Sequence, residues 1–296
     1  MSSAERRPPG APTGATKPRV HPAQQTSGPA PGPRLPAGHW FPGLVPGNPA
    51  EANTSPLHLI CFSYAGGTHS VYRDWAEHLD PGTQVVPVLL PGRALRRREK
   101  PYTVLRQLVS DLTEALLDHR LTRNYALFGH SMGALLAYEV ACALREGGEP
   151  EPRHLFVSGS RAPQLYGDRS RHVLDDAGLR RLVQGLGGLG EDPEIGSVFL
   201  QGRLPVLRAD LAVCDTYRWT PRLPLSCPMT AFSGTDDPIA PAYEVEAWRA
   251  YTTGSLLHRR LEGDHFFLHG PAIPLLLRAV RSELGSLREP AGAGRM

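Results

Sequence analysis

Three residue types in a fixed chain order could carry out nucleophilic chemistry: Ser131, the adjacent Asp236 and Asp237, and His265. Ser131 lies in Gly129-His130-Ser131-Met132-Gly133, between the apolar run Tyr125-Ala126-Leu127-Phe128 and a helical stretch from Met132 to Arg145. A Gly-x-Ser-x-Gly turn from strand to helix holds its serine in a strained conformation with the hydroxyl exposed. The helix start behind it adds amide donors and positive potential where an oxyanion would develop. A serine hydroxyl is a poor nucleophile until a base takes its proton, and the base needs an orienting carboxylate. In this arrangement the acid and then the histidine follow the serine in chain order. Asp236 and Asp237 follow the strand-like run Met229–Phe232, and Asp237, three residues after Gly234, is the favoured acid. His265 follows the last strand-like run in Glu262-Gly263-Asp264-His265, with His269 as the alternative base. His130 reads as structural, and no two of the 12 histidines share a metal-binding motif, so no metal is expected.

An oxyanion hole needs a second backbone amide besides that of Met132. The turn Ser63-Tyr64-Ala65-Gly66-Gly67 after the first strand offers one, with Ala65 as the donor. The elements that must position these groups follow from the apolar pattern. Strands are expected at 57–62, 84–90, 125–128, 154–157, 229–232 and 256–261. Helices are expected at 69–79, 103–119 with Thr103 as N-cap, 132–145, 242–251 and 273–284. Repeated strand–helix units predict an α/β fold, a mostly parallel central sheet with helices on both faces. Residues 163–223 contain helical pieces (174–186 and 204–217) and no strand, which predicts an inserted helical lid above the strand ends.

Composition bounds the remaining possibilities. Of 30 prolines in 296 residues, 13 fall in the first 56, so 1–39 is expected to be a disordered leader. Order is expected from Trp40-Phe41 through residue 286, with 287–296 a flexible tail. Five basic and two acidic residues in 1–55 carry the whole net charge of +3; the rest is balanced, which argues against a nucleic-acid binder. No apolar run approaches the ~20 residues that span a bilayer, and no apolar stretch follows the early arginines as in a secretory signal. Cys61, Cys142, Cys214 and Cys227 are isolated, as small buried hydrophobes of a reducing compartment are. The expectation is a cytoplasmic protein, monomeric by default, without membrane or nucleic-acid partners.

Taken together, six segments resemble the type II thioesterases, the stand-alone editing hydrolases of polyketide and nonribosomal peptide synthesis. They are Trp40-Phe41, Cys61 to Gly67, Leu90-Pro91-Gly92-Arg93, Gly129 to Ala134, Leu207-Arg208-Ala209-Asp210 and His265-Phe266-Phe267-Leu268. The resemblance covers about residues 40–285. It implies an α/β-hydrolase fold and hydrolysis of stalled or misprimed acyl groups from the phosphopantetheine arm of an acyl or peptidyl carrier protein. It implies Ser131 as nucleophile, His265 as base, Asp237 as acid, the Ala65 and Met132 amides as oxyanion donors, and no cofactor beyond the arm that the substrate brings. Two positions depart from the family pattern: Ser63 stands where a proline is usual, and Asp264, where a glycine is usual, sets another carboxylate beside His265. The loop Arg93-Ala94-Leu95-Arg96-Arg97-Arg98 is a candidate docking site for an acidic carrier, and Arg203 and Arg208 are candidates for the entrance used by the arm. Neighbouring readings are an acyl-CoA hydrolase or carboxylesterase, an acyltransferase or cyclase with an acceptor other than water, and a non-catalytic protein of the same fold.

Overall fold

Six strands, each followed by turn or helix, form one parallel sheet in the computed structural model, which describes residues 40–44, 56–167, 169–187 and 202–287. The strands are β1 (Leu57–Phe62), β2 (Thr83–Pro87), β3 (Tyr125–His130), β4 (Leu155–Ser158), β5 (Met229–Gly234) and β6 (Leu256–Leu261). Their spatial order is β2-β1-β3-β4-β5-β6. The chain therefore leaves β1 in one direction along the sheet and returns to pair on its other side with β3. The C-terminal ends of β1 and β3 flank this reversal, the place where open α/β sheets bind ligands.

Alternation within the strands sends side chains to two cores. Ile60, Phe62, Leu127, Leu155 and Met229 pack with α1 (Leu105–Asp118) and α2 (Met132–Glu146) on one face. Leu57, Leu59, Cys61, Phe128, Phe156 and Phe232 pack against the last helix, Ile273–Ser286, on the other. All four cysteines are buried and unpaired, as expected for small core residues. No helix among the described residues is long and apolar enough to cross a membrane.

Four local expectations differ, the first being the helix expected at 242–251, which is α-helical over Ala242–Glu246 and 3-10 over Ala247–Tyr251. Residues 69–79 form two short 3-10 turns, His69–Tyr72 and Trp75–His78, rather than one α-helix. The junction of the two turns brings Tyr72 and Trp75 together edge to face at 4.9 Å, and both contact Phe128. The N-cap of α1 is Val104 rather than Thr103, with no side-chain cap bond. The second strand ends at Pro87; the Val88 N–H still donates to the Cys61 carbonyl of β1 at 2.9 Å, and the Leu89 N–H then donates to the Trp40 carbonyl at 2.8 Å.

The lid expectation falls partly on described residues. Helices α3 (Asp176–Gln184) and α4 (Leu204–Asp215) lie within 163–223, which has no named strand among the described residues. Asp175 caps α3 by accepting the Gly178 N–H at 2.7 Å. Leu179, Leu204, Leu207 and Leu211 join the two helices in a small core of their own. Residues 188–201, the 1–39 leader and 288–296 of the expected tail lie outside the described residues. The two remaining helices are α5 (Ala242–Glu246) and α6 (Ile273–Ser286).

Candidate active site

Ser131 is the single residue between β3 and α2, with φ 56° and ψ −118°. A non-glycine residue at positive φ is strained and persists only where its surroundings hold it. Here the Ser131 N–H donates to the Ser158 carbonyl at 2.8 Å, tying the turn to the end of β4. The flanking glycines are required by contact. A Cβ on Gly129 would sit 2.1 Å from the Gly133 carbonyl oxygen, and one on Gly133 would sit 2.1 Å from that of Phe62.

The structure brings Asp237 and His265 to this turn from the loops after β5 and β6. His265 Nε2 lies 3.0 Å from Ser131 Oγ, and its Nδ1 lies 2.8 Å from Asp237 Oδ2. A carboxylate only accepts, so Nδ1 carries the proton and donates it, leaving the Nε2 lone pair facing the serine hydroxyl. The other carboxylate oxygen, Oδ1, accepts the Ile239 and Ala240 N–H groups at 2.9 and 3.1 Å, which fixes the plane of the acid. Asp236 instead accepts from the Thr235 hydroxyl at 2.9 Å on the surface. His269 accepts or donates to the Tyr64 hydroxyl at 2.9 Å and does not reach Ser131.

Above Ser131 lies a cavity of about 360 Å³. Ala65, Met132 and His265 line it on the sheet side; Leu182, Val183, Leu186, Leu207 and Leu211 line it from the lid helices and the turn after α3. Tyr64 to Gly67 forms a tight turn in which the Gly67 N–H donates to the Tyr64 carbonyl at 2.9 Å and Gly66 adopts φ 77°. Such a turn takes glycine at its third position because side chains resist that φ. Among the described residues, the Ala65 and Met132 amides donate to no other protein group.

A thioesterase domain model matches residues 57–283. This chain belongs to the thioesterase family. It is a thioester hydrolase with an α/β-hydrolase architecture. The chain is 57% identical to RedJ, the thioesterase of the prodiginine biosynthetic pathway in Streptomyces coelicolor, with a TM-score of 0.76 over 81% of this chain and 90% of that one. It is 32% identical to BorB, the type II thioesterase of the borrelidin biosynthetic cluster, with a TM-score of 0.73 over 86% and 100%. Thioesterase PikA5 of Streptomyces venezuelae is 36% identical over 218 residues, which is 74% of this chain and 78% of the relative.

Three arginines of this thioesterase, Arg93, Arg96 and Arg208, sit otherwise than expected. Arg93 is not a surface docking residue: it is buried, and its guanidinium donates to Asp210, to the Gly67 carbonyl and to the Pro91 carbonyl. Arg96 is buried likewise, held by Glu99 and the Leu89 carbonyl and stacked over Trp40 at 4.1 Å. Of the arginines in this loop, Arg97 and Arg98 are the exposed pair. Arg208 does not line the cavity. It donates to the His172 and Leu174 carbonyls and to Asp176 Oδ1, joining α4 to the start of α3 and the segment before it. Arg203 does line the cavity. Five residues rotate a helix position by about 140°, so Arg203 and Arg208 point to different sides of α4. Local periodicity placed both on the lid, but only packing shows which side is covered.

His130 is structural in a more specific sense than the sequence conveyed. Its Nε2 meets the backbone carbonyl of His265 at 2.8 Å and its Nδ1 meets the Ser158 hydroxyl at 2.9 Å. Facing a carbonyl, Nε2 must donate, so Nδ1 accepts from Ser158. Complete burial, together with the neighbouring His265, holds its pKa well below the usual histidine range. His130 thus stays neutral and pins the backbone of the residue that contacts Ser131. Asp264 accepts the Phe266 N–H at 2.7 Å, a bond within its own turn. The Ser63 hydroxyl, where a proline is usual, is buried with no partner.

Proposed function

We propose that this thioesterase releases stalled or misprimed acyl groups from the phosphopantetheine arms of acyl or peptidyl carrier proteins in polyketide or nonribosomal peptide biosynthesis. The observation that carries the reading is the hydrogen-bonded file Ser131–His265–Asp237 at the floor of the lid-covered cavity. Its pathway context is supported by likeness to RedJ, of the prodiginine biosynthetic pathway, and to BorB, of the borrelidin biosynthetic cluster.

In this reading Ser131 Oγ attacks the thioester carbonyl carbon as His265 Nε2 takes the hydroxyl proton. The carbonyl electron pair moves onto oxygen and is met by the Ala65 and Met132 amides, aided by the positive end of α2. Collapse of the tetrahedral adduct breaks the C–S bond, and His265 passes its proton to the leaving thiolate of the arm. Water then attacks the acyl-serine with His265 again as base, and collapse returns the serine hydroxyl and frees a carboxylic acid. Asp237 keeps Nδ1 protonated and offsets the imidazolium charge through both half-reactions. The chain needs no resident cofactor for these steps; the phosphopantetheine arrives with the substrate. It acts as a monomer in the cytoplasm.

The test compares acyl-carrier protein, acyl-CoA and a simple oxygen ester as substrates for the wild type and Ser131→Ala, with product analysis. The reading expects the acyl-carrier protein to be favoured, free acid to be the product, and Ser131→Ala to be inactive. Preference for the ester or free CoA, or an ester, amide or lactone product, points to the neighbouring readings. Equal activity in the mutant refutes the assignment of Ser131.

A further inference from the structure

Two sequence motifs, Leu90-Pro91-Gly92-Arg93 and Leu207-Arg208-Ala209-Asp210, contribute no group to the steps above, yet they meet in space. Arg93 Nη2 donates to Asp210 Oδ1 at 2.7 Å, and Nη1 donates to Asp210 Oδ2 at 2.9 Å. Nη1 also donates to the Gly67 carbonyl at 3.0 Å. Asp210 Oδ2 in turn accepts the Gly66 N–H at 2.7 Å. Both side chains are buried, with relative exposures of 5% and 4%.

The consequence lies in where these bonds end. Gly66 and Gly67 are the second half of the turn whose first half carries the Ala65 amide. The peptide unit that joins Ala65 to Gly66 is planar, so fixing the Gly66 N–H fixes the adjoining Ala65 carbonyl and restricts rotation about Ala65. The charged acceptor on one side and the guanidinium on the other grip the turn at two successive residues. Bidentate pairs of this kind are among the stronger hydrogen-bonded contacts and are geometrically demanding.

The grip also reaches the lid. Asp210 is on α4, and its neighbours Leu207 and Leu211 on the same helix form the wall of the cavity. The carboxylate is therefore delivered to the turn only while α4 is seated.

We propose that the Arg93–Asp210 pair is a positioning device that aims the Ala65 amide for the oxyanion and makes that aim depend on the seating of lid helix α4. Neither residue touches the reacting atoms; both act through the turn. The proposal needs only thioester hydrolysis at Ser131, so a small acyl thioester tests it independently of whether a carrier protein is the substrate.

The experiment measures kcat and KM on an acyl-N-acetylcysteamine thioester by thiol release. It also measures inhibition by an alkyl boronic acid, which makes a tetrahedral serine adduct that uses the oxyanion hole. The key variant is Arg93→Met/Asp210→Leu, which removes both charges together and leaves neither buried alone. It is expected to stay folded, to lose at least ~10-fold in kcat with KM within ~2-fold of wild type, and to weaken boronate inhibition in parallel. Arg93→Lys keeps the charge but not the fork. It is expected to lower kcat as well, without raising KM, and serves as the second test should the double variant fail to fold. Wild-type kcat in either folded variant overturns the proposal. So does a rise in KM at unchanged kcat, which would make the pair a wall of the binding cavity only.

Discussion

Asp237→Asn is a sharp perturbation, because the structure dictates how the new amide must turn. Oδ1 of Asp237 accepts two backbone N–H groups, from Ile239 at 2.9 Å and Ala240 at 3.1 Å. In the asparagine the carbonyl oxygen must stay on that side; turning the NH2 group there would oppose two donors with a third. Two buried hydrogen bonds would be lost, and their donors left unsatisfied, at a cost of roughly 1–3 kcal/mol each. The NH2 group therefore faces His265 Nδ1, now 2.8 Å from Asp237 Oδ2. A donor there obliges Nδ1 to accept, which moves the ring proton to Nε2, the atom facing Ser131 Oγ at 3.0 Å. An Nε2–H cannot take the serine proton. With fold and cavity intact, kcat should fall by about 10⁴, close to 5.5 kcal/mol in barrier height, with KM little changed. The assay is thiol release from a small acyl thioester near neutral pH, with thermal melting to confirm folding. Asp236→Asn serves as the control and should leave kcat within ~2-fold, because the Asp236 side chain is on the surface and accepts from the Thr235 hydroxyl rather than from His265. An Asp237→Asn enzyme within 10-fold of wild type would refute this account of how the histidine is oriented.

Three further outcomes follow from other parts of the molecule. Gly129→Ala puts a Cβ about where the Gly133 backbone lies, 2.1 Å from its carbonyl oxygen, so stability should drop by ~2 kcal/mol or more, read as a lowered Tm. His154 is buried against Thr230 at 2.9 Å, and burial lowers its pKa to about 4 from 6.5. Its neutral form is the folded form, so its contribution is complete above pH 6.5 and is lost as pH falls toward 4. That loss is at most about 3 kcal/mol and should shrink in His154→Gln, measured by denaturant melts at pH 7 and pH 4.5. Arg97→Glu/Arg98→Glu reverses the exposed charge of the loop and should raise KM for an acyl-carrier protein by ~10-fold while leaving a small thioester unaffected. Equal KM values for the carrier substrate would remove this loop from docking.

What could be read from the chain alone was local and periodic. Alternating and continuous apolar runs located all six strands, since each strand buries its residues by a rule of period two or by a full apolar run. The glycines around Ser131 could be read as well, because close backbone crossing admits no side chain there. Chain order then singled out His265 and one of two adjacent aspartates. The exception was tertiary in origin: residues 69–79 have apolar spacing compatible with a helix, yet they form two 3-10 turns whose Tyr72 and Trp75 pack on Phe128 of β3.

The tertiary structure decided everything that depends on what covers a polar group. Asp236 and Asp237 are chemically identical neighbours, and only the backbone path after β5 turns one toward His265 and the other toward Thr235. In a list of residues, Arg93, Arg96, Arg97 and Arg98 are four equal positive charges. Folded, the first grips Asp210 and the second grips Glu99, and only the last pair faces water. A buried charge requires a partner, and that partner lies 117 residues away for Arg93. No period or motif spacing encodes such a distance. The sequence by itself determined which residues could do the chemistry, because that is a matter of side-chain type and local turn. Which of them meet at Ser131, and which instead hold the turn from Tyr64 to Gly67, was decided by long-range packing of residues from distant elements at the end of a sheet.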